Sequence, residues 1–317
     1  MYIKLVRLTC YNMYKIILRL NMRIAVVGLG GVGGYICASF NKTKHNVVGF
    51  ARGEHLKKIQ DNGLEIVEDS LSWNEKIDAR ELDNCSGYFD LVLFCVKSYD
   101  LVESYERISK CIDSKSTILS LSNGVNNGDI LRRLTKSTVL EGCVYILSHI
   151  KEPGIIRKKG KLFACVFGGD SVSTEKLSKI FDEAKLRYKT PSDIKQAIWR
   201  KFIFISAFAT STSYYDKSIG FVYENHRDEV KKVLEEIANV ANSMEIDIYD
   251  EIEKSLQTAS KVPYDSSTSM HLDFQNKKRV ELESLTGYVV EHGKKYGVET
   301  PQILEMYEGL VLKNKAL

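Results

Sequence analysis

Seven residues near the start of the chain carry five glycines, Gly28-Leu29-Gly30-Gly31-Val32-Gly33-Gly34, between the β-branched run Arg23-Ile24-Ala25-Val26-Val27 and a helix-like stretch from Tyr35. Strand, glycine turn and helix in that order suit a dinucleotide pyrophosphate. Gly28 permits the tight turn, Gly30 lets phosphate oxygens reach the backbone, and Gly33 lets helix and strand pack closely, with the helix N-terminus facing the anion. The next strand, Asn46-Val47-Val48-Gly49-Phe50, ends in Ala51-Arg52, where an NAD-binding chain would carry an acid for the ribose hydroxyls. A guanidinium there can grip a 2′-phosphate, so NADPH is the expected cofactor, with the nearby Glu54 as a competitor for Arg52.

Polar groups gather at the ends of two later strands. The run Leu91-Val92-Leu93-Phe94-Cys95-Val96 is apolar throughout, as a parallel strand covered on both faces is, and delivers Lys97 and Ser98 to its carboxyl end. Residues 116–121 do the same for Ser122-Asn123-Gly124. Taken singly, Lys97 is a strand-end lysine and Asn123 a turn former; together, downstream of the glycine loop, they read as cofactor and substrate contacts. Lys201 stands within Trp199-Arg200-Lys201-Phe202 on an otherwise apolar helix, where burial of an ammonium needs a partner or a ligand, the alternative being a side chain that snorkels to the surface. Ser269 follows a polar segment, and Glu281 and Glu283 fall on the next helical stretch, residues 276–296.

These positions imply an α/β Rossmann-type N-terminal domain joined to an all-α C-terminal domain. At 317 residues the chain exceeds one compact domain. The expected division is an N-terminal extension at 1–21, basic and without an acid, a dinucleotide-binding domain at 22–190, and a helical domain at 191–317 opened by Pro191-Ser192-Asp193. Strands are expected at 138–147, 154–157 and 161–168 and a helix at 175–185; beyond the boundary, helices are expected at 194–215, 227–244, 250–261 and 276–296, with a last one opened by Pro301.

The balance of 45 basic and 41 acidic residues leaves a net charge of +4, too weak and too dispersed for a nucleic-acid footprint. The longest apolar run, Leu91 to Val96, is far short of a membrane span. Seven cysteines without a C-x-x-C pair fit buried reduced thiols, hence a cytoplasmic setting, and the six histidines show no metal-ligand spacing. Neither nucleic acid, membrane nor metal is therefore an expected partner. A homodimer remains open.

The ordered blocks G-L-G-G-V-G, C-V-K-S-Y, S-N-G-V-N-N, W-R-K-F, S-S-T-S-M-H-L-D-F and R-V-E-L-E-S-L-T-G-Y resemble the ketopantoate reductase (2-dehydropantoate 2-reductase) family from Met22 to about residue 310. The resemblance implies NADPH-dependent reduction of 2-dehydropantoate to (R)-pantoate on the pantothenate route to coenzyme A. It implies a cofactor loop at Gly28, Gly30 and Gly33, a 2′-phosphate arginine at Arg52, the strand-end lysine at Lys97, and the N-G asparagine at Asn123. The general acid falls on Lys201 and the serine and glutamate twelve apart on Ser269 and Glu281. Lys201 would supply a proton to the carbonyl oxygen and stabilise its growing charge, Glu281 would hold that lysine and contact cofactor, and Asn123 and Ser269 would orient substrate.

The chain departs from the family pattern four and eight residues after Lys201, where asparagines usually stand and where this sequence has Ile205 and Ala209. Ser206 and Thr210 lie one residue further along, and Ser206 is the candidate to take over substrate contact. The departure leaves three readings open: a 2-dehydropantoate reductase, a reductase of a less polar 2-keto acid, and an NADP(H)-binding protein without turnover.

Overall fold

The computed structural model describes residues 21–315, so the extension expected at 1–21 lies, apart from Asn21, outside the described residues. The chain forms two compact units. One runs to Val96 and continues through Asp100–Ser122 and Asn127–Thr190; the other comprises Lys97–Tyr99, Asn123–Asn126 and the chain from Pro191 onward. Two short segments expected in the first domain thus group with the helical unit.

The first unit is built in the order β1 (Arg23–Val27), α1 (Gly31–Asn41), β2 (Asn46–Phe50), α2 (Gly53–Asn62), β3 (Leu64–Glu68), β4 (Leu71–Glu75), β5 (Asp78–Arg80), β6 (Leu91–Phe94), α3 (Leu101–Ile108), β7 (Thr117–Ser120), α4 (Asn127–Leu134), β8 (Thr138–Glu152), β9 (Ile155–Gly168), α5 (Ser171–Glu183) and β10 (Tyr188–Lys189). The strands join in one sheet of order β4-β3-β9-β8-β7-β6-β1-β2-β5, with β10 on β9. From β8 to β5 all neighbours are parallel, while β8 with β9 and β3 with β4 are antiparallel. The central strands are apolar on both faces for a visible reason. Ile24 and Val26 enter one core with Leu91 and Leu93, and the alternate residues Ala25, Val27, Val92 and Phe94 enter the other. Phe181 closes the first core edge-on to Phe40 at 5.3 Å, and each such fully buried side chain contributes roughly 1.5–3 kcal/mol. Strands β8 and β9 form one long hairpin, so the two separate strands expected at 154–157 and 161–168 are a single strand that passes through Gly160 at φ +64°.

The second unit is helical: α6 (Ile194–Tyr215), α7 (Ile219–Asn225), α8 (Arg227–Asn242), α9 (Asp250–Ala259), α10 (Ser269–Gln275), a π-helical turn (Glu283–Gly287) that leads into α11 (Tyr288–Tyr296), and α12 (Pro301–Lys315). Asp193 caps α6 by accepting the Gln196 N–H at 2.9 Å. Helix α6 then packs against α7, α8, α9, α10, α12 and the π turn, which explains why it is apolar on nearly every side. The long helix expected at 276–296 starts only at Leu282, because Lys277 adopts φ +52° and the chain stays non-helical up to Glu281. Among the described residues no helix is long and apolar enough to cross a membrane.

Candidate functional site

In the first unit the glycine loop has a separate mechanical reason at each position. Gly28 sits at φ +93°, its N–H bonded to the Phe50 carbonyl at 2.9 Å. A methyl group at Gly33 would overlap the Gly28 carbonyl oxygen and reach Cys95 Cβ at 2.8 Å, so α1 lies against the turn as closely as a bare backbone allows. Gly31 and Gly34, outside the motif positions, are pressed on the backbone of Ser148 and the side chain of Ile156. Gly30 differs from all of these: a methyl there would meet nothing within 4 Å, and the residue caps α1 without a side-chain hydrogen bond. An open cradle in front of an uncapped helix N-terminus fits a pyrophosphate.

Arg52 stands before α2 with 81% of its side chain exposed, and its guanidinium lies 3.4 Å from Asp100. The competitor for Arg52 is thus Asp100 rather than Glu54.

In the second unit, the segments that leave β6 and β7 meet the helices. The Lys97 ammonium donates to Asp273 Oδ2 at 2.9 Å and to Glu281 Oε2 at 3.1 Å, and the other oxygen of Glu281 accepts the Ser98 N–H at 3.1 Å. Ser98 Oγ is 2.6 Å from Ser284 Oγ. The Glu281 side chain is 2% exposed and that of Lys97 35%. Burial disfavours the Lys97 cation, but the charges of Glu281 and Asp273 and the hydrogen bonds to both more than offset it, so its pKa stands above the ordinary lysine value. Lys201, on α6, donates to Asn123 Oδ1 at 3.2 Å. Such a lysine, held by a neutral oxygen, can face a polarised carbonyl, stabilise the negative charge that develops on it and deliver a proton.

Two expectations change here. Glu281, expected beside Lys201, accepts from Lys97 and the Ser98 N–H, because the non-helical run after Lys277 brings its carboxylate to the segment that follows β6. Ser206 is fully buried, and its hydroxyl donates to the Leu285 carbonyl at 3.2 Å inside the π turn, while Thr210 bonds Thr286 at 2.7 Å. A widened turn loosens the normal helical ladder and leaves carbonyls to be satisfied from elsewhere; the Ser206 hydroxyl serves that need, while Thr210 meets the side-chain hydroxyl of Thr286, so both are engaged inside the helical core. Ile205, one turn from Lys201 on the same helix face, is partly exposed, and Ala209 is buried. Ser269 is exposed at the first residue of α10.

Asp273 and Ser284 were not singled out from the sequence. The signal for Asp273 was its spacing of four residues from Ser269, which puts both on one face of α10. Among the described residues no group of three or more His, Cys, Asp or Glu side chains is placed to hold a metal ion.

Comparison with known proteins follows the same two units. The family described as ketopantoate reductase PanE/ApbA matches residues 24–169, and its C-terminal counterpart matches residues 193–313. The uncharacterized oxidoreductase YkpB of Bacillus subtilis is 27% identical over 300 residues, covering 91% of this chain and 98% of the relative. The structure of a PanE/ApbA family ketopantoate reductase from Ralstonia eutropha superposes with a TM-score of 0.87 at 26% identity, covering 93% of this chain and 99% of the other. A 2-dehydropantoate 2-reductase from Porphyromonas gingivalis gives a TM-score of 0.79 at 30% identity, with 92% and 99% covered.

Proposed function

Because this chain belongs to the ketopantoate reductase PanE/ApbA family of oxidoreductases, we propose that it reduces a 2-keto acid to the 2-hydroxy acid with NADPH, 2-dehydropantoate being the first candidate substrate. The observation that carries this reading is the Lys201 ammonium held on Asn123 at 3.2 Å, in one compact unit with the Lys97, Asp273 and Glu281 cluster. When bound, the cofactor supplies hydride to the keto carbon. Lys201 then gives a proton to the carbonyl oxygen and recovers one from solvent, so the reaction takes up one NADPH and one proton per keto acid. Asn123 orients Lys201 and presents its own amide N–H groups to substrate oxygens. The cradle at Gly30 receives the pyrophosphate and Arg52 the 2′-phosphate, released from Asp100 as it does so.

A second reading, a less polar 2-keto acid, is favoured by Ile205. It lies partly exposed one turn from Lys201, and the hydroxyls that follow on the same helix, Ser206 and Thr210, are committed to the π turn. An apolar side chain there rewards an alkyl or aryl group at the carbon next to the carbonyl. The test is NADPH and NADH oxidation by the purified chain with 2-dehydropantoate and with keto acids bearing branched alkyl or phenyl groups. The first candidate is upheld if 2-dehydropantoate has the highest kcat/KM by about tenfold or more, a margin that one or two hydrogen bonds supply. A phenyl or alkyl keto acid at the top instead upholds the second, and binding of NADPH without turnover of any keto acid refutes both.

A further inference from the structure

His55, on the first turns of α2, holds the glycine loop from outside. Its Nε2 lies 2.8 Å from the Leu29 carbonyl oxygen, between Gly28 and Gly30, and its Nδ1 lies 3.0 Å from the N–H of Gly154. Gly154 makes the β8–β9 turn at φ +83°, and its carbonyl accepts the Glu65 N–H at 2.9 Å, which ties that turn to β3. A backbone N–H can only be accepted by a bare ring nitrogen, and a carbonyl can only receive a hydrogen. The two partners therefore fix a single state of the ring: neutral, with its hydrogen on Nε2.

We propose that His55 is a positioning residue for the dinucleotide, its neutral ring clamping the glycine turn to the β8–β9 turn so that the backbone around Gly30 keeps its open cradle. The clamp rests on the cofactor reading for its purpose, though not for its existence. A doubly protonated ring would turn a second N–H against that of Gly154, so the clamp opens on acidification. On its own helix His55 is flanked by Glu54 and Lys58; the hairpin brings Lys151 and Glu152, β3 brings Glu65, and the loop from Gly28 to Gly34 has no ionisable side chain. Burial lowers the His55 pKa below 6.5 against an opposing pull from the Leu29 carbonyl. A depressed pKa means that the neutral clamp is fully present above pH 6.5 and is lost as pH falls through the lower, folded value.

The full chain is tested in two ways: hydrogen exchange across residues 28–34 without ligand, and NADPH affinity by fluorescence titration from pH 8 to pH 5, on the order of the range in which a histidine titrates. His55→Ala speeds exchange in 28–34 and weakens NADPH by about tenfold, the loss of one to two net hydrogen bonds. His55→Gln, which keeps one acceptor and one donor, recovers most of both and flattens the acid limb of the affinity curve. Unchanged exchange at 28–34 in His55→Ala overturns the clamp, whatever the cofactor does. Faster exchange in a protein that binds no NADPH even as wild type upholds the clamp and overturns the cofactor reading. Should His55→Ala fail to fold, identical acid limbs in wild type and His55→Gln overturn the clamp instead.

Discussion

Replacing Asp273 by asparagine isolates the charge that the sequence did not advertise. In the native cluster the Lys97 ammonium has carboxylate oxygens at 2.9 and 3.1 Å, one from Asp273 and one from Glu281. Asparagine keeps an acceptor at the first position and removes its charge. A charge-assisted hydrogen bond is worth about 1.5–3 kcal/mol against about 0.5–1.5 for a neutral one, a difference near 1 kcal/mol before screening. Because Lys97 is 35% exposed, solvent reduces this, and the stability loss at neutral pH should be about 0.5 kcal/mol. The functional loss should be larger. With Asp273 neutral, Glu281 holds the only charge of the pair and draws Lys97 toward itself and away from α10, and a misplaced group of this kind costs about tenfold in kcat/KM. The pH signature has a definite sign. The Lys97 pKa is raised in the folded chain, so its contribution is complete below 10.5 and is lost as pH rises through the higher folded value. Asp273→Asn lowers that folded value and brings the alkaline loss of stability to lower pH. Urea unfolding at neutral pH and in a series that rises past the ordinary lysine value, with steady-state kinetics at neutral pH, reads both effects. An Asp273→Asn protein with wild-type kcat/KM and an unmoved alkaline limb would show that the Asp273 charge does not hold Lys97 in place.

Three further outcomes are expected. Ile205→Asn adds a donor and an acceptor beside Lys201 and should raise kcat/KM for 2-dehydropantoate, relative to an alkyl keto acid, by about tenfold; a ratio that moves less than twofold removes Ile205 from specificity. Arg52→Ala should weaken NADPH by about tenfold, a modest figure because the guanidinium is exposed and must leave Asp100, with NADH affinity and melting temperature unchanged; equal losses for both cofactors would take the 2′-phosphate away from Arg52. Gly33→Ala forces a methyl onto the Gly28 carbonyl oxygen and should cost about 1–3 kcal/mol in chemical denaturation together with NADPH binding. Full stability in that variant would mean the turn can relax.

Sequence patterning carried most of the architecture where local and long-range preferences agree. The glycine loop follows a strand whose alternate residues fill two cores, and α6 begins where Asp193 caps an apolar stretch; both are readable because composition and geometry point the same way. The short strands β3, β4 and β5 were not anticipated, since β4 is mostly exposed and held by pairing with β3. The break before Leu282 was equally hidden: no glycine or proline marks residues 276–281, and Lys277 takes φ +52° where α10 ends, with the Lys278 N–H turned back onto the Asp273 carbonyl at 2.9 Å. That break decides where Glu281 points, so its engagement by Lys97 could not be read from spacing. Ser206 illustrates the same limit, because a π turn that needs an outside donor has no sequence signature.

Catalysis in the proposed reaction depends on the Lys201 ammonium as the proton donor to a keto oxygen. The direct measurement is kcat for NADPH oxidation with the best keto acid in wild type, Lys201→Ala and Lys201→Ala supplemented with a small primary amine. A fall of about 10²–10⁴-fold is expected in the variant, with partial recovery on added amine. A Lys201→Ala protein that turns over within a few-fold of wild type would contradict Lys201 as the proton donor.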